Sequence, residues 1–324
     1  MRILVYGAGV QGCELAHRLL QNKKNVVTML ARGEWKERLD QRGLVIRHWA
    51  QCRTTVDRVT TIDTLAPDDC YDLVFVAVQA GQLPDVLPIL KQNKSEYFVF
   101  VGNDPHAVEV MQAMQRPADK VAFGFQSSGG HRDVDKVVSA HVGVDMTVGG
   151  ATAPLSGVFR YRLKTAFEGA KYKLNFVSDM DAWLKCHIAL ILPVCYLCYA
   201  CKGDLSKATK EQRELVLDAA WEGCEMLKAA HIPVDDKENT DCYRAGTPGR
   251  RKMDAMLLAI CKTPLGRLCV SDHAMHAVAE MQYLDEAFEG LRAQTQIQMT
   301  AWDTLRGQMP SWDIIRKKTA KTRR

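Results

Sequence analysis

Three glycines, Gly7, Gly9 and Gly12, stand in the spacing G-x-G-x-x-G directly after the apolar run RILVY. In such a turn the first glycine lets the chain leave a strand sharply. The second lets backbone approach a pyrophosphate, and the third lets a helix pack close against the strand. With Val10 and Gln11 between the last two glycines, the turn would aim helix-start N–H groups at phosphates. That is dinucleotide chemistry; a glycine turn that binds nothing is the bland alternative. Arg32 follows twenty residues after Gly12, with Lys36 one helical turn on. An NAD site wants an acidic residue there for the ribose hydroxyls. A guanidinium suits a 2′-phosphate instead, through a charge-assisted contact of roughly 1.5–3 kcal/mol. The pattern favours NADP over NAD, against the reading of a surface cation near a helix start.

A second set of polar groups lies far downstream. In DAWLKCHIALILPVCYLCYACKG (181–203), Lys185 heads an apolar run. It is either a surface lysine whose ammonium snorkels to water, or a proton donor held in a dry cleft. As a donor, its ammonium would also steady the alkoxide formed when hydride reaches a carbonyl. In SDHAMHAVAEMQYLDEAF (271–288), His273, Ala277 and Glu280 recur at i, i+4 and i+7, with His276 one turn from Glu280. This reads as an acid–histidine set that orients the lysine or binds a substrate hydroxyl, or as the solvated face of an amphipathic helix. Asn103, in VGNDP, ends a strand pattern where a ribose or substrate would lie; a turn asparagine is its other reading. Cys195, Cys198 and Cys201 make C-x2-C-x2-C, but they fall within a helical pattern, whereas cluster ligands need a looping backbone. They read as small hydrophobes, and no metal is expected.

The elements that must position these groups divide the chain. Strand patterns at 2–6, 25–30, 72–80, 96–104, 120–125 and 174–177 alternate with helices, and strand ends at Gln79 and Asn103 open onto a cofactor crevice. From about residue 180 helical periodicity takes over, at 181–200, 208–230, 250–261 and 271–306, with a Pro- and Gly-containing loop at 231–250. The expected organisation is an α/β Rossmann-like domain at 1–178, an all-α domain at 179–310 and a basic tail at 311–324.

Whole-chain properties exclude several classes. At 324 residues, 47% hydrophobic and 25% charged, the chain is of ordinary globular composition. The formal charge of +5 resides in the last nine residues, RKKTAKTRR, without which 37 basic side chains face 38 acidic ones. That argues for a frayed terminus rather than a nucleic-acid surface. Eleven scattered cysteines point to a reducing, cytoplasmic compartment. The longest uncharged run, 186–201, contains Pro193 and is shorter than the roughly 18 apolar residues of a spanning helix, so no membrane partner is expected.

In this order, the segments resemble the ketopantoate reductase (2-dehydropantoate 2-reductase) family from residue 1 to about 305. ILVYGAGVQG is similar to its opening fingerprint, and VTMLARGEWKERLDQRGLVI to its second strand with an NADP-selecting arginine, here Arg32. DLVFVAVQA matches a segment in which the family carries a cofactor-contacting lysine, replaced here by Gln79. VFVGNDP resembles the segment whose asparagine, here Asn103, sits by nicotinamide and substrate. DAWLKCHIALILP resembles a W-x-K helix, which makes Lys185 the general acid; one turn on, Ala189 stands where a substrate-binding asparagine belongs. Glu280 matches a glutamate that bonds the substrate hydroxyl and the lysine. A family serine aligns near Leu268, with Ser271 the nearest candidate, and His273 joins the substrate side. The resemblance implies a Rossmann domain followed by a helical domain like the C-terminal part of 6-phosphogluconate dehydrogenase. It implies NADP(H)-dependent reduction of a 2-oxo acid, ketopantoate in pantothenate biosynthesis being the family reaction, with a homodimer as the candidate assembly. Two readings compete with this: an NADP-binding sensor without turnover, and a reductase of an unrelated carbonyl or imine.

Overall fold

The computed structural model describes residues 1–322, and the side chains of all of these except 141–144, 265 and 320–322. The chain forms two units, Met1–Asp181 and Ala182–Arg324.

In the first unit the apolar runs become parallel strands because helices cover both faces and leave little place for polar alternation. β1 (Arg2–Tyr6), β2 (Val26–Leu30), β6 (Leu73–Val76) and β7 (Phe98–Val101) are almost wholly buried. Between them run α1 (Val10–Gln21), α2 (Gly33–Arg42), α3 (Leu83–Gln92) and α4 (Ala107–Ala113). β3 (Leu44–His48), β4 (Arg53–Asp57) and the short β5 (Thr60–Ile62) follow α2. β8 (Val121–Arg132) and β9 (Val137–Gly149) form a long antiparallel ribbon; α5 (Gly157–Ala166) and β10 (Leu174–Phe176) complete the unit. The sheet order is β4-β3-β9-β8-β7-β6-β1-β2-β5, with β10 paired to β9. Its parallel half is Rossmann-like, as expected. Strands β3, β4, β5 and β9 lie outside the expected set: half-exposed, polar-rich segments such as RTTVD carry no strong apolar run.

The second unit is helical. It contains most of α6 (Met180–Ala200), then α7 (Lys210–Ala229), α8 (Asp241–Tyr243) and α9 (Pro248–Lys262). There follow α10 (Pro264–Gly266), α11 (Asp272–His276), α12 (Val278–Arg292), α13 (Thr300–Gln308) and α14 (Trp312–Thr322). The helix expected over 271–306 is thus three helices. It breaks at Ala277, which leaves helical geometry at φ −113°, ψ 35°, and again before Thr300. The basic terminus also differs from the expected frayed tail. Residues 312–322 are helical, with Ile315 buried and the Trp312 indole donating to Asp285 Oδ2 at 2.8 Å. Two apolar anchors at helical spacing in WDII hold down an otherwise charged segment. By length and composition α6 could cross a bilayer, but 72% of its apolar window is buried within the protein. It is the central core helix of its unit.

Candidate functional site

The fingerprint turn has the shape a pyrophosphate needs. Gly7 sits at φ +112°, and a Cβ there would lie 2.4 Å from the Ala77 carbonyl oxygen. A Cβ at Gly12 would lie 1.9 Å from the Gly7 carbonyl oxygen, so helix and strand can approach this closely only without side chains. A Cβ at Gly9, by contrast, would meet no protein atom within 4 Å, leaving open the approach that a phosphate would take. The first intrahelical bond of α1 runs from Cys13 N to Gly9 O at 2.9 Å. No side chain caps the helix start and no acidic residue lies in its first turn. The N–H groups of Val10, Gln11 and Gly12 therefore point out of a positive helix end with no carboxylate in their own turn to compete for them. These residues fit a dinucleotide. The Gln11 side chain does not join the open face, because it turns to β8 and donates to the Ser128 carbonyl at 2.5 Å.

Arg32 follows β2 at the N-cap of α2. Its guanidinium is oriented by two contacts, Nη2 donating to the Tyr6 hydroxyl at 3.3 Å and Nε to the Asp63 carbonyl at 3.4 Å. It borders a cavity of about 280 Å³ whose walls include Leu65, Pro67, Pro88 and Ile89. An apolar slot with a cation at its rim is suited to a purine ring next to a phosphate. Lys36 is committed elsewhere: its ammonium bonds Asp40 at 2.7 Å, and Asp40 also accepts from Thr61. Gln79 is engaged locally in a capping box with Gln82, which closes the single helical turn Ala80–Gln82 before α3. A lysine at that position would have been able to reach outward; this glutamine holds its own loop.

Asn103 is buried at the end of β7. Its neighbour Asp104 is buried too, with Oδ1 accepting from His106 N at 2.9 Å. Burial, reinforced by the Asp181 and Glu109 charges against the opposing pull of His106, pushes the Asp104 carboxyl up to about 6. Sequence reasoning passes over Asp104, although a second polar residue in GNDP is the available signal.

In the second unit, Lys185 is half-buried in the second turn of α6. Trp183 and His187 on the same helix stack at 5.2 Å, and burial pushes His187 down to about 4, so the ring is neutral at pH 7. Ala189 is fully buried at the α6–α7 contact. A Cβ added to Gly223 would fall 3.1 Å from the Ala189 methyl and 3.3 Å from the Trp302 ring. The position that the resemblance gives to an asparagine is here a close helix crossing with no room for an amide.

Glu280 is buried in the first turn of α12, and His273 Nε2 lies 3.9 Å from its carboxylate. The helix break at Ala277 thus preserves the juxtaposition expected of one continuous face. The Glu280 charge adds to burial in raising the Cys195 thiol and the Tyr199 phenol, which places it against the middle of α6. Cys195 is ten residues beyond Lys185, about 15 Å along the axis. Ser271 is buried and bonds the Cys198 thiol, about 20 Å along α6 from Lys185, which commits it to the core. His276 turns back on its own helix, Nδ1 bonding the Asp272 carbonyl at 2.6 Å. Cys195 and Cys198 are buried, with Cys195 Sγ 3.3 Å from Met281 Sδ.

Residues 3–152 match the family model described as ketopantoate reductase PanE/ApbA. No curated protein matches the sequence. Among solved structures, the chain is similar to 2-dehydropantoate 2-reductase from Geobacter metallireducens GS-15, with a TM-score of 0.73 at 16% identity over 95% of this chain and 98% of that one. It is similar to D-mandelate dehydrogenase in ternary complex with NADH and anilino(oxo)acetate, with a TM-score of 0.70 at 14% identity over 99% of both chains. It is also similar to dimeric ketopantoate reductase from Staphylococcus aureus, with a TM-score of 0.67 at 11% identity over 99% of both. At these identities the likeness is one of fold.

Proposed function

We propose that this chain, whose residues 3–152 match the model of the ketopantoate reductase PanE/ApbA family, is a divergent member of that family and an NADPH-dependent reductase of a 2-oxo acid. The observation that carries this reading is the uncapped start of α1, with Gly9 open to a ligand. Arg32, oriented at the end of β2 beside an apolar slot, supports NADP over NAD. When bound, the nicotinamide supplies hydride to a carbonyl carbon. The chain's own residues do the rest. The N–H groups of residues 10–12 hold the pyrophosphate, Arg32 holds the 2′-phosphate, and Asn103 orients the nicotinamide ribose or the substrate. Lys185 gives a proton to the oxygen that gains charge as hydride arrives. Glu280, with His273 beside it, binds a substrate hydroxyl.

The substrate differs from ketopantoate in this reading, because Ala189 removes one amide contact and the packing around it leaves no replacement. A site that loses a hydrogen-bonding group discriminates strongly against the substrate that needed it. A compact 2-oxo acid whose side chain needs one polar contact fewer than that of ketopantoate fits that loss. The protein is assigned to the cytoplasm, and a homodimer is its proposed assembly.

The test is NADPH oxidation against a panel of 2-oxo acids, ketopantoate and phenylglyoxylate included, with NADH in parallel. Arg32→Ser should raise KM for NADPH by about 10- to 100-fold and leave KM for NADH nearly unchanged. Tight NADPH binding without oxidation of any panel member would instead support a sensor that kept the fold and lost turnover.

A further inference from the structure

Behind the fingerprint turn lies a closed set of amide and hydroxyl groups that links α1 to the sheet. Gln126, on β8, is 1% exposed. Its amide nitrogen lies 3.1 Å from the Gln11 backbone carbonyl, 2.8 Å from Gln11 Oε1 and 3.0 Å from Ser128 Oγ. Ser128 Oγ donates to Gln11 Oε1 at 3.1 Å, and Gln11 Nε2 donates to the Ser128 carbonyl at 2.5 Å. The Tyr172 hydroxyl donates to Gln126 Oε1 at 2.7 Å, and the Gln11 backbone carbonyl, which can only accept, fixes the amide nitrogen as the end that faces Gln11. The register of the β8–β9 ribbon breaks between Gln126 and Ser128, a local irregularity of the kind that re-aims side chains near functional sites.

These bonds hold the backbone of Gln11 as well as its side chain. Gln11 lies in the first turn of α1, among the N–H groups that no helical carbonyl takes up. A shift of this turn by a fraction of an ångström would move every one of those donors together.

We propose that Gln126 is a positioning residue for the anion-binding turn, acting through Gln11 to aim the N–H groups of residues 10–12 at a dinucleotide's pyrophosphate. The inference rests on the dinucleotide reading above but concerns residues outside the fingerprint. It explains why Gln11 turns away from the open face: its side chain is the lever by which β8 sets the turn. A buried network in which every member is satisfied rigidifies its surroundings, whereas one missing member leaves buried polar groups unpaired.

The test compares three probes by titration calorimetry: NADPH, ADP-ribose, which keeps the pyrophosphate without the 2′-phosphate, and 2′-AMP, which has no pyrophosphate. Gln126→Met should raise Kd for NADPH and ADP-ribose about tenfold while leaving 2′-AMP unchanged. Gln11→Met should do the same, and the double variant should add little, since both act through one linkage. If Gln126→Met does not fold, Tyr172→Phe and Ser128→Ala provide the same comparison with smaller losses. Parity of the variant with wild type on NADPH and ADP-ribose overturns the proposal, as does equal weakening of all three probes, which would mean general loosening of the fold. A wild-type protein that binds none of the probes overturns the dinucleotide reading itself, and that result is distinguishable because it appears before any substitution is made.

Discussion

Lys185 and Ala189 are one helical turn apart, and their surroundings separate two kinds of evidence about a site. Lys185 is half-buried in the second turn of α6, a place that suits either a proton donor or a lysine whose ammonium snorkels to water. If it is the donor, Lys185→Ala should cut turnover at least about 10²-fold while Kd for NADPH changes little. A variant with unchanged kcat would remove Lys185 from the mechanism. Ala189 is a question of volume. A Cβ placed on Gly223 would lie 3.1 Å from the Ala189 methyl and 3.3 Å from the Trp302 ring, so Ala189→Asn would overpack a core contact. It should cost about 1–3 kcal/mol in urea unfolding and restore no ketopantoate activity. An asparagine variant of wild-type stability would mean that the α6–α7 crossing is looser than its geometry.

At the scale of elements, α6 is held by charge as well as by apolar packing. Asp285 on α12 is fully buried and takes bonds from Tyr196 on α6 at 2.5 Å, from Arg306 on α13 at 2.8–2.9 Å and from Trp312 on α14 at 2.8 Å. One carboxylate therefore ties four helices together. Asp285→Ala leaves a guanidinium, a phenol and an indole without their acceptor and should destabilise the protein by about 3–5 kcal/mol. Measured by urea unfolding, a loss below about 1 kcal/mol would show that water replaces the carboxylate without penalty. This hub also marks the limit of what the sequence discloses. The fingerprint, the parallel strands and the helical second half are written in local periodicity and can be read directly. The roles of Gln126, Tyr172 and Asp285 depend on partners 46 to 115 residues away or on helices that only the fold brings together. The tail misleads for the same reason: six cations suggest a solvated end, while the anchoring of Trp312 depends on Asp285, far from it in the chain. The helix break at Ala277 escapes periodicity because apolar spacing continues through it.

For the whole molecule, buried titratable groups set how stability responds to acid, and they do not all act in one direction. His187 and His48 are both pushed down to about 4 by burial, the Glu14 charge partly opposing the shift at His48. An unfolded histidine takes a proton below about 6.5, whereas these two in the folded protein do so only near pH 4. Between those values the unfolded state binds more protons, so stability falls as pH drops from about 6.5 to 4. For His187 the loss amounts to up to about 3 kcal/mol. Asp104 behaves oppositely. Its folded-state carboxyl is raised to about 6, above the usual value of 3.8, so its contribution to stability is fully present below 3.8 and disappears as pH rises through 6. Acidification from about 6 to 4 therefore recovers part of what the histidines lose. The urea midpoint should decline gently from about pH 7 to 5. Asp104→Asn removes the compensating group, so its decline over the same interval should be steeper, starting from a higher midpoint at about pH 7 because an ionised buried carboxylate has been eliminated. Superimposable pH profiles for the two proteins would mean that Asp104 titrates as a solvated acid and that the end of β7 is wetter than its burial indicates.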